Sequence, residues 1–137
     1  MDRRFPVMML IGGALACGGG DGAGEVLSEA APVTLRQVQS SVFTPSCAVP
    51  TCHVGAGAPF GLDLSEGQAL AGLINVASSE VPAYDRVDPF VPLDSYLYMK
   101  VSGDSRILGD PMPALPPDLS PERKQLLADW IAQGALP

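Results

Sequence analysis

The chain has 137 residues, of which 47% are hydrophobic and 17% charged, and its formal net charge is −7 at pH 7. This length is enough for one folded domain of common size and leaves no room for a second. The acidic charge disfavours binding to nucleic acid and adhesion to anionic lipid head groups.

The first sixteen residues are typical of a secretory signal peptide. Arg3 and Arg4 form a basic n-region, and an apolar run with small residues at its end follows at 6–16. The run is shorter than the about 20 apolar residues that a bilayer-spanning helix needs. We therefore expect residues 1–16 to be a cleaved leader and not a membrane anchor.

The leader ends in Ala-Leu-Ala-Cys at residues 14–17, which resembles a bacterial lipobox. The resemblance implies that Cys17 is diacylated and becomes the first residue of the mature protein. Gly18, standing where aspartate would be a retention signal, favours delivery to the outer membrane by analogy with lipoprotein sorting. The alternative is ordinary secretory cleavage that leaves Cys17 as a free thiol. We expect an exported lipoprotein, facing the periplasm or the cell surface and attached to the membrane through its lipid alone.

The leader and the folded part are joined by a predicted linker at residues 17–32. This stretch consists mainly of Gly, Ala, Asp and Glu and has hardly any large apolar residue. Such a composition favours a flexible coil. The chain thus divides into a signal peptide at 1–16, a lipidated flexible linker at 17–32 and one domain at 33–137.

Two short helices are predicted in the first half of the domain. Thr34 and Gln37 form a capping box, and Pro45 ends the run, so the first helix is predicted over 34–43. Ser65 is the predicted N-cap of the second helix. Its apolar positions recur at helical spacing and are Leu70, Leu73 and Ile74.

Two further helices are predicted in the second half. The third opens at Asp94 or Ser95 and ends at Gly103. The fourth opens at Ser120 with proline at its first position, and it ends before Gly134. Its apolar stripe consists of Leu126, Leu127, Trp130 and Ile131. We find no strand alternation, internal repeat or glycine-rich phosphate loop, so the pattern predicts an all-α domain with long proline-rich loops.

The only histidine and two of the three cysteines lie together at residues 47–53, Cys-Ala-Val-Pro-Thr-Cys-His. Two thiols followed directly by a histidine are typical of c-type haem attachment. In that chemistry Cys47 and Cys52 bond to the vinyl groups and His53 binds the iron. Four residues separate the cysteines where two are usual, and Pro50 favours an outward loop that takes up the difference. Structural zinc and iron–sulfur sites each need four ligands, and blue copper needs two histidines, so these three residues complete none of them.

A second axial ligand for the iron is predicted in the loop Asp-Pro-Met-Pro at 110–113. Prolines on both sides keep the loop extended, and a His/Met ligand pair raises the reduction potential. Met99 is the alternative ligand, but its place inside a helix at core spacing favours packing. Arg86 and Arg106 are both candidates for neutralising haem propionates, and the sequence assigns neither.

The order of these motifs resembles class I-like cytochrome c domains, and most closely the planctomycete-type cytochrome c domain. The resemblance covers about residues 33–136, and its most specific parts are Cys-His at 52–53, Met-Pro at 112–113 and Trp-Ile at 130–131. It implies a small cytochrome c-like domain of about four short helices with long loops around one haem c. In that domain Cys47 and Cys52 hold the porphyrin, while His53 and Met112 bind the iron.

The resemblance implies a monohaem c-type cytochrome that carries out one-electron transfer outside the cytoplasm. With both axial positions filled the iron has no open site, so we expect an electron carrier and not an enzyme. An unidentified redox partner protein with a positively charged docking face would suit the acidic chain. One alternative is a haem-free structural or binding lipoprotein with a Cys47–Cys52 disulfide. The other is a haem sensor or peroxidase-like enzyme in which Met112 is displaceable.

Overall fold

The computed structural model describes residues 31–137, so the predicted signal peptide and most of the predicted linker, with Cys17, lie outside the described residues. The described part is small and mostly helical, and it has four helices and no sheet. The helices are α1, made of Leu35–Val38, Gln39–Phe43 and Thr44–Ser46; α2, Ala69–Leu73; α3, Tyr96–Ser102; and α4, Pro121–Ala132. This confirms the helical class and the number of helices. No helix within 31–137 has the length and apolar character needed to cross a membrane.

Helix α1 begins at the predicted capping box. The Gln37 N–H donates to Thr34 Oγ1 over 3.3 Å, and the Thr34 N–H donates to Gln37 Oε1 over 2.8 Å. These bonds satisfy backbone donors that have no partner within the helix. The predicted start of the helix is therefore confirmed.

The predicted end of α1 at residue 43 is wrong, because the helix continues through Pro45 to Ser46. The Thr44 N–H bonds to the carbonyl of Gln39, five residues earlier, so Gln39–Phe43 forms a π turn. Pro45 therefore lies in the last turn of α1, directly after the π turn, and lacks the N–H that would donate to an earlier carbonyl of the helix.

Helix α2 begins at Ala69, four residues after the predicted cap. Ser65 does not cap it, because the Ser65 N–H and hydroxyl both bond to the carboxylate of Asp63. The backbone carbonyl of Ser65 instead accepts the Gln68 N–H over 3.0 Å in a turn before the helix. The predicted N-cap is thus wrong, since a nearby carboxylate competes for the hydroxyl.

Helix α3 starts directly after Ser95 and ends at Gly103, as predicted. Gly103 has φ 73°, the left-handed conformation that closes many helices. The hydroxyl of Ser95 does not cap the helix; it accepts the Asp88 N–H over 2.9 Å and donates to the carbonyl of Val91 over 3.0 Å. Ser95 therefore fastens the preceding loop to the start of α3.

Helix α4 starts at Ser120 and Pro121, as predicted. Trp130 is fully buried and meets Phe43 of α1 edge to face, with ring centroids 6.4 Å apart. Its indole N–H donates to the carbonyl of Leu136 over 2.8 Å. Trp130 is therefore a core residue.

The hydrophobic core takes residues from all four helices and from the loops between them. Its largest fully buried members are Val38, Val42, Phe43, Leu64, Leu73, Val87, Leu127, Trp130 and Ile131. Cys47 and Met112 pack against this cluster and remain partly exposed. The core therefore supports both loops that carry the candidate ligands.

Candidate functional site

One cavity brings together the four candidate residues predicted within the domain. Cys47, Cys52, His53 and Met112 all line a cavity of about 720 Å³. Small-molecule sites typically occupy about 300–1,000 Å³, so this volume suits a cofactor. Most of the other lining residues are apolar or proline: Pro45, Val49, Pro59, Pro113, Ala114, Leu115, Pro116 and Pro117.

A smaller cavity of about 130 Å³ adjoins the first and shares Cys47, His53 and Met112 with it. Its wall combines apolar side chains with charged and hydroxyl groups. The polar members are Ser78, Ser79, Glu80, Arg86, Tyr96 and Lys100. Cys47, His53 and Met112 thus lie where the two cavities adjoin, and apolar surface predominates in both.

The loop that carries the cysteines folds back on itself. The His53 N–H donates to the carbonyl of Cys47 over 3.1 Å, which closes residues 47–53 into a compact ring of backbone. Pro50 and Thr51 are exposed, whereas Cys47 and Cys52 are half-buried. Pro50 and Thr51 therefore project towards solvent, while Cys47 and Cys52 stay at the cavity.

The orientation of His53 fixes which ring nitrogen carries the proton. Its Nδ1 lies 3.1 Å from the carbonyl oxygen of Leu62. Because a carbonyl oxygen only accepts, Nδ1 must be the protonated donor, and the lone pair is on Nε2. The His53 carbonyl in turn accepts the Leu64 N–H over 2.9 Å. A histidine held in this way has the tautomer that metal-binding histidines commonly adopt.

Met112 lines the cavity from the loop between α3 and α4. Its N–H donates to the carbonyl of Lys100 in α3 over 2.8 Å, and Pro111 and Pro113 flank it. Met99, the alternative ligand, is 1% exposed within α3 and lines neither of the two cavities described above. Of the two methionines considered as ligands, Met112 alone is placed to reach a cofactor beside His53.

The two cysteines of the loop are free thiols in the structure. Burial, and secondly the negative charge of Cys52, raise the pKa of the Cys47 thiol to about 11. Cys47 therefore stays protonated at neutral pH, and thiolate chemistry at this residue is suppressed.

Alkylation of the haem-free protein should reveal the protected state of Cys47. Raising the pKa from 9.0 to about 11 lowers the thiolate fraction roughly a hundredfold near neutral pH, so iodoacetamide should label Cys47 about a hundredfold faster in concentrated urea. Peptide mass spectrometry of timed samples measures both rates. Equal rates with and without urea would show that Cys47 is not buried.

The same shift predicts how stability depends on pH. The raised pKa means that the unfolded chain loses the Cys47 proton first as pH increases. The contribution of Cys47 to stability is therefore complete below pH 9 and is lost between about pH 9 and pH 11. Cys47→Ala should remove this part of the pH dependence of urea unfolding.

The structure distinguishes the two arginines that the sequence could not separate. Arg86 lines the smaller cavity, where its guanidinium donates to the carbonyls of Gly72 over 2.9 Å and Phe60 over 2.7 Å. Arg106 lies at the surface and pairs with Asp104 at 2.8 Å, and its hydrogen bonds lower the pKa of that carboxyl to about 2. Of these two arginines, only Arg86 lies beside the candidate ligands.

Two cationic residues at the cavities were missed in the sequence analysis. Arg123, at the start of α4, lines the larger cavity and donates to Ser46 Oγ over 3.4 Å. Lys100 lines the smaller cavity and pairs with Glu80 at 2.9 Å. Nothing in the local sequence marks either residue, because both are brought to the site by the packing of α3 and α4.

A scan of family models and searches of curated proteins and of solved structures found no match to this chain. Within residues 31–137 no group of three or more His, Cys, Asp and Glu side chains could hold a metal ion. A functional assignment therefore depends on the contacts of Cys47, Cys52, His53 and Met112.

Proposed function

We propose that the protein is a monohaem c-type cytochrome that carries single electrons outside the cytoplasm. The observation that carries the proposal is the shared cavity: one imidazole, one thioether and two thiols line it from separate parts of the chain. This donor set fits haem c, since thiols attach the porphyrin and a His/Met pair binds the iron.

The polarity of the cavity lining also supports a porphyrin as its ligand. Its lining is dominated by proline and aliphatic side chains, which suit a large apolar disc. The domain is small and rich in loops, so it has little apolar surface of its own to bury. Burial of a porphyrin against residues 113–117 would add apolar contacts where the loops have few partners.

Each of the four residues has a distinct role in this proposal. Cys47 and Cys52 would hold the porphyrin through thioether bonds, and His53 Nε2 and the Met112 sulfur would bind the iron. The hydrogen bond from His53 Nδ1 to the Leu62 carbonyl fixes the ring and increases its basicity. When bound, the haem supplies an iron that gains and loses one electron.

The surroundings of the iron site would favour the reduced state. A thioether ligand and a mostly apolar lining both disfavour the additional positive charge of ferric iron. We assign Arg86 and Arg123, on the walls of the two cavities, to neutralising the haem carboxylates. With both axial positions taken by His53 and Met112, the protein would act as a carrier for a redox partner protein and not as an enzyme.

A redox titration of the full-length protein tests this function. Protein exported from a host with cytochrome c maturation machinery should give one reversible couple with a one-electron slope. A protein with no reversible couple would contradict the proposal. A couple that disappears on adding carbon monoxide would favour the sensor or peroxidase-like alternative, because Met112 would then be displaceable.

One observation favours the haem-free alternative. The charge of Cys52 contributes to the raised pKa of Cys47, so the two thiols lie close enough to interact. Oxidation of such a pair in an exported protein could close a small disulfide loop. This reading gives no role to the tautomer of His53 or to the presence of Met112 in the same cavity, and we rank it second.

We further propose that Cys17 carries a lipid that attaches the protein to a membrane, in keeping with the lipobox-like motif at 14–17. Cys17→Ala should move the protein from the membrane fraction to the supernatant, because the variant lacks the thiol that would carry the lipid. Immunoblotting of fractionated cells measures the change. Unchanged fractionation of the variant would remove the lipoprotein claim.

A further inference from the structure

Lys100 is buried in an unusual way for a lysine. It is 7% exposed, and within residues 31–137 it is the only charged residue in the buried class. Its ammonium has three donors, and each finds an acceptor: the carboxylate of Glu80 at 2.9 Å, the carbonyl of Leu108 at 2.6 Å and the carbonyl of Asp110 at 3.2 Å. A buried ammonium with all its donors satisfied is an ordered structural group.

The backbone of Lys100 binds the same loop. Its carbonyl accepts the Met112 N–H over 2.8 Å. That carbonyl is available because α3 ends in a left-handed glycine, and the N–H groups of Gly103 and Asp104 both turn back to Met99 instead. The helix end thus presents one carbonyl that only the Met112 loop satisfies.

These contacts hold alternate residues of one short segment. The Lys100 ammonium binds the carbonyls of Leu108 and Asp110, and the Lys100 carbonyl binds the N–H of Met112. The Leu108 N–H donates to the Tyr96 hydroxyl over 2.9 Å, one turn earlier on α3. The segment 108–112 is therefore tied to α3 along its length.

We propose that Lys100 is the positioning residue for the Met112 thioether, holding the loop so that the sulfur faces the cavity that His53 lines. The proposal rests on the proposed function in one respect, namely that Met112 is an iron ligand. Removing the ammonium would leave two carbonyls and the partly buried Glu80 without their partner, while the bonds to the Lys100 carbonyl and the Tyr96 hydroxyl remain. The loop should therefore leave α3 more often than in the wild type. The iron would then lose its sixth ligand for part of the time.

The variant Lys100→Met tests this inference, because methionine keeps the apolar stem and removes only the charge and its donors. We expect the haem to remain covalently attached, the reduction potential to fall and the affinity of the ferrous protein for carbon monoxide to rise. A detached population that is ten times larger gives an affinity about tenfold higher. Lys124→Met is the matched control, since Lys124 of α4 lines neither cavity, and it should behave as the wild type.

Hydrogen exchange adds a readout that does not depend on the iron. The amides of Leu108 and Met112, which bond to Tyr96 and to the Lys100 carbonyl, should exchange faster in Lys100→Met, while those of α4 should keep wild-type rates. Lys100→Arg retains a cation that can donate to the same carbonyls, and it should restore most of the protection and of the potential. If α4 also loses protection in Lys100→Met, the experiment is repeated with Glu80→Gln. This variant should give a smaller increase in the exchange rate of the loop amides.

The outcomes separate this inference from the proposed function. Wild-type potential, carbon monoxide affinity and loop exchange in a folded Lys100→Met would overturn the positioning role, and so would wild-type loop exchange in Glu80→Gln. Absence of haem in the wild-type protein, or an unchanged potential in Met112→Ala, would instead overturn the ligand assignment.

Discussion

Met112→Ala should keep its haem and show a reduction potential lower by on the order of a tenth of a volt, within the about 0.8 V range that axial ligands span. Removing the thioether takes away the softer of the two ligands and opens the iron to solvent. The ferrous protein should then bind carbon monoxide, which the wild type should not. Redox titration and difference spectra with carbon monoxide measure both effects.

Met99→Leu is the matched control for this experiment. Met99 is buried within α3 and lines neither cavity, so a leucine of similar volume should preserve both the ligands and the potential. If Met99→Leu lowered the potential and opened the iron while Met112→Ala did neither, the assignment of the distal ligand would be wrong.

Cys52→Ala should lose its haem almost entirely, whereas Cys47→Ala should keep part of it on a single thioether bond. Cys52 is joined to His53 by one peptide bond, so the same segment places the proximal ligand and the thiol. Cys47 lies across the exposed bulge at Pro50 and Thr51, and its raised pKa makes its thiol the less reactive. The four-residue spacing between the cysteines destabilises the loop only slightly relative to two residues, because the free energy of loop closure rises by only about 0.6 kcal/mol for each doubling of length.

Intact-protein mass spectrometry with thiol alkylation distinguishes the possible results. Wild-type protein with the haem mass and no alkylatable thiol in the loop would carry two thioether bonds, as we expect. Haem mass with one alkylatable thiol would mean one bond. Equal haem loss in both alanine variants would show that neither cysteine is better placed than the other.

The sequence predicted those parts of the fold that depend on local signals. Thr34 with Gln37 and Ser120 with Pro121 start α1 and α4, as their capping chemistry requires. The π turn of α1 also makes a distant contact: the Gln39 side chain donates to the carbonyl of Leu64 over 2.9 Å. No local pattern could reveal that bond.

In the candidate site, too, the sequence predicts the chemically distinctive side chains but not the distant contacts that hold them. Cys47, Cys52, His53 and Met112 were predicted because their side chains carry a recognisable chemistry in a recognisable order, although four residues and not two separate the cysteines. The groups that hold them are mainly backbone carbonyls, those of Leu62 and Lys100, which look alike in every residue type. Their roles become visible only when the loops are folded against α3.

The visible absorption spectrum of the full-length protein, exported from a host with cytochrome c maturation machinery, tests the central claim most directly. Our account predicts a Soret band together with sharp α and β bands after reduction, the signature of low-spin haem with two axial ligands. A spectrum without a Soret band, from protein whose mass reveals a Cys47–Cys52 disulfide, would contradict the claim and identify a haem-free lipoprotein instead.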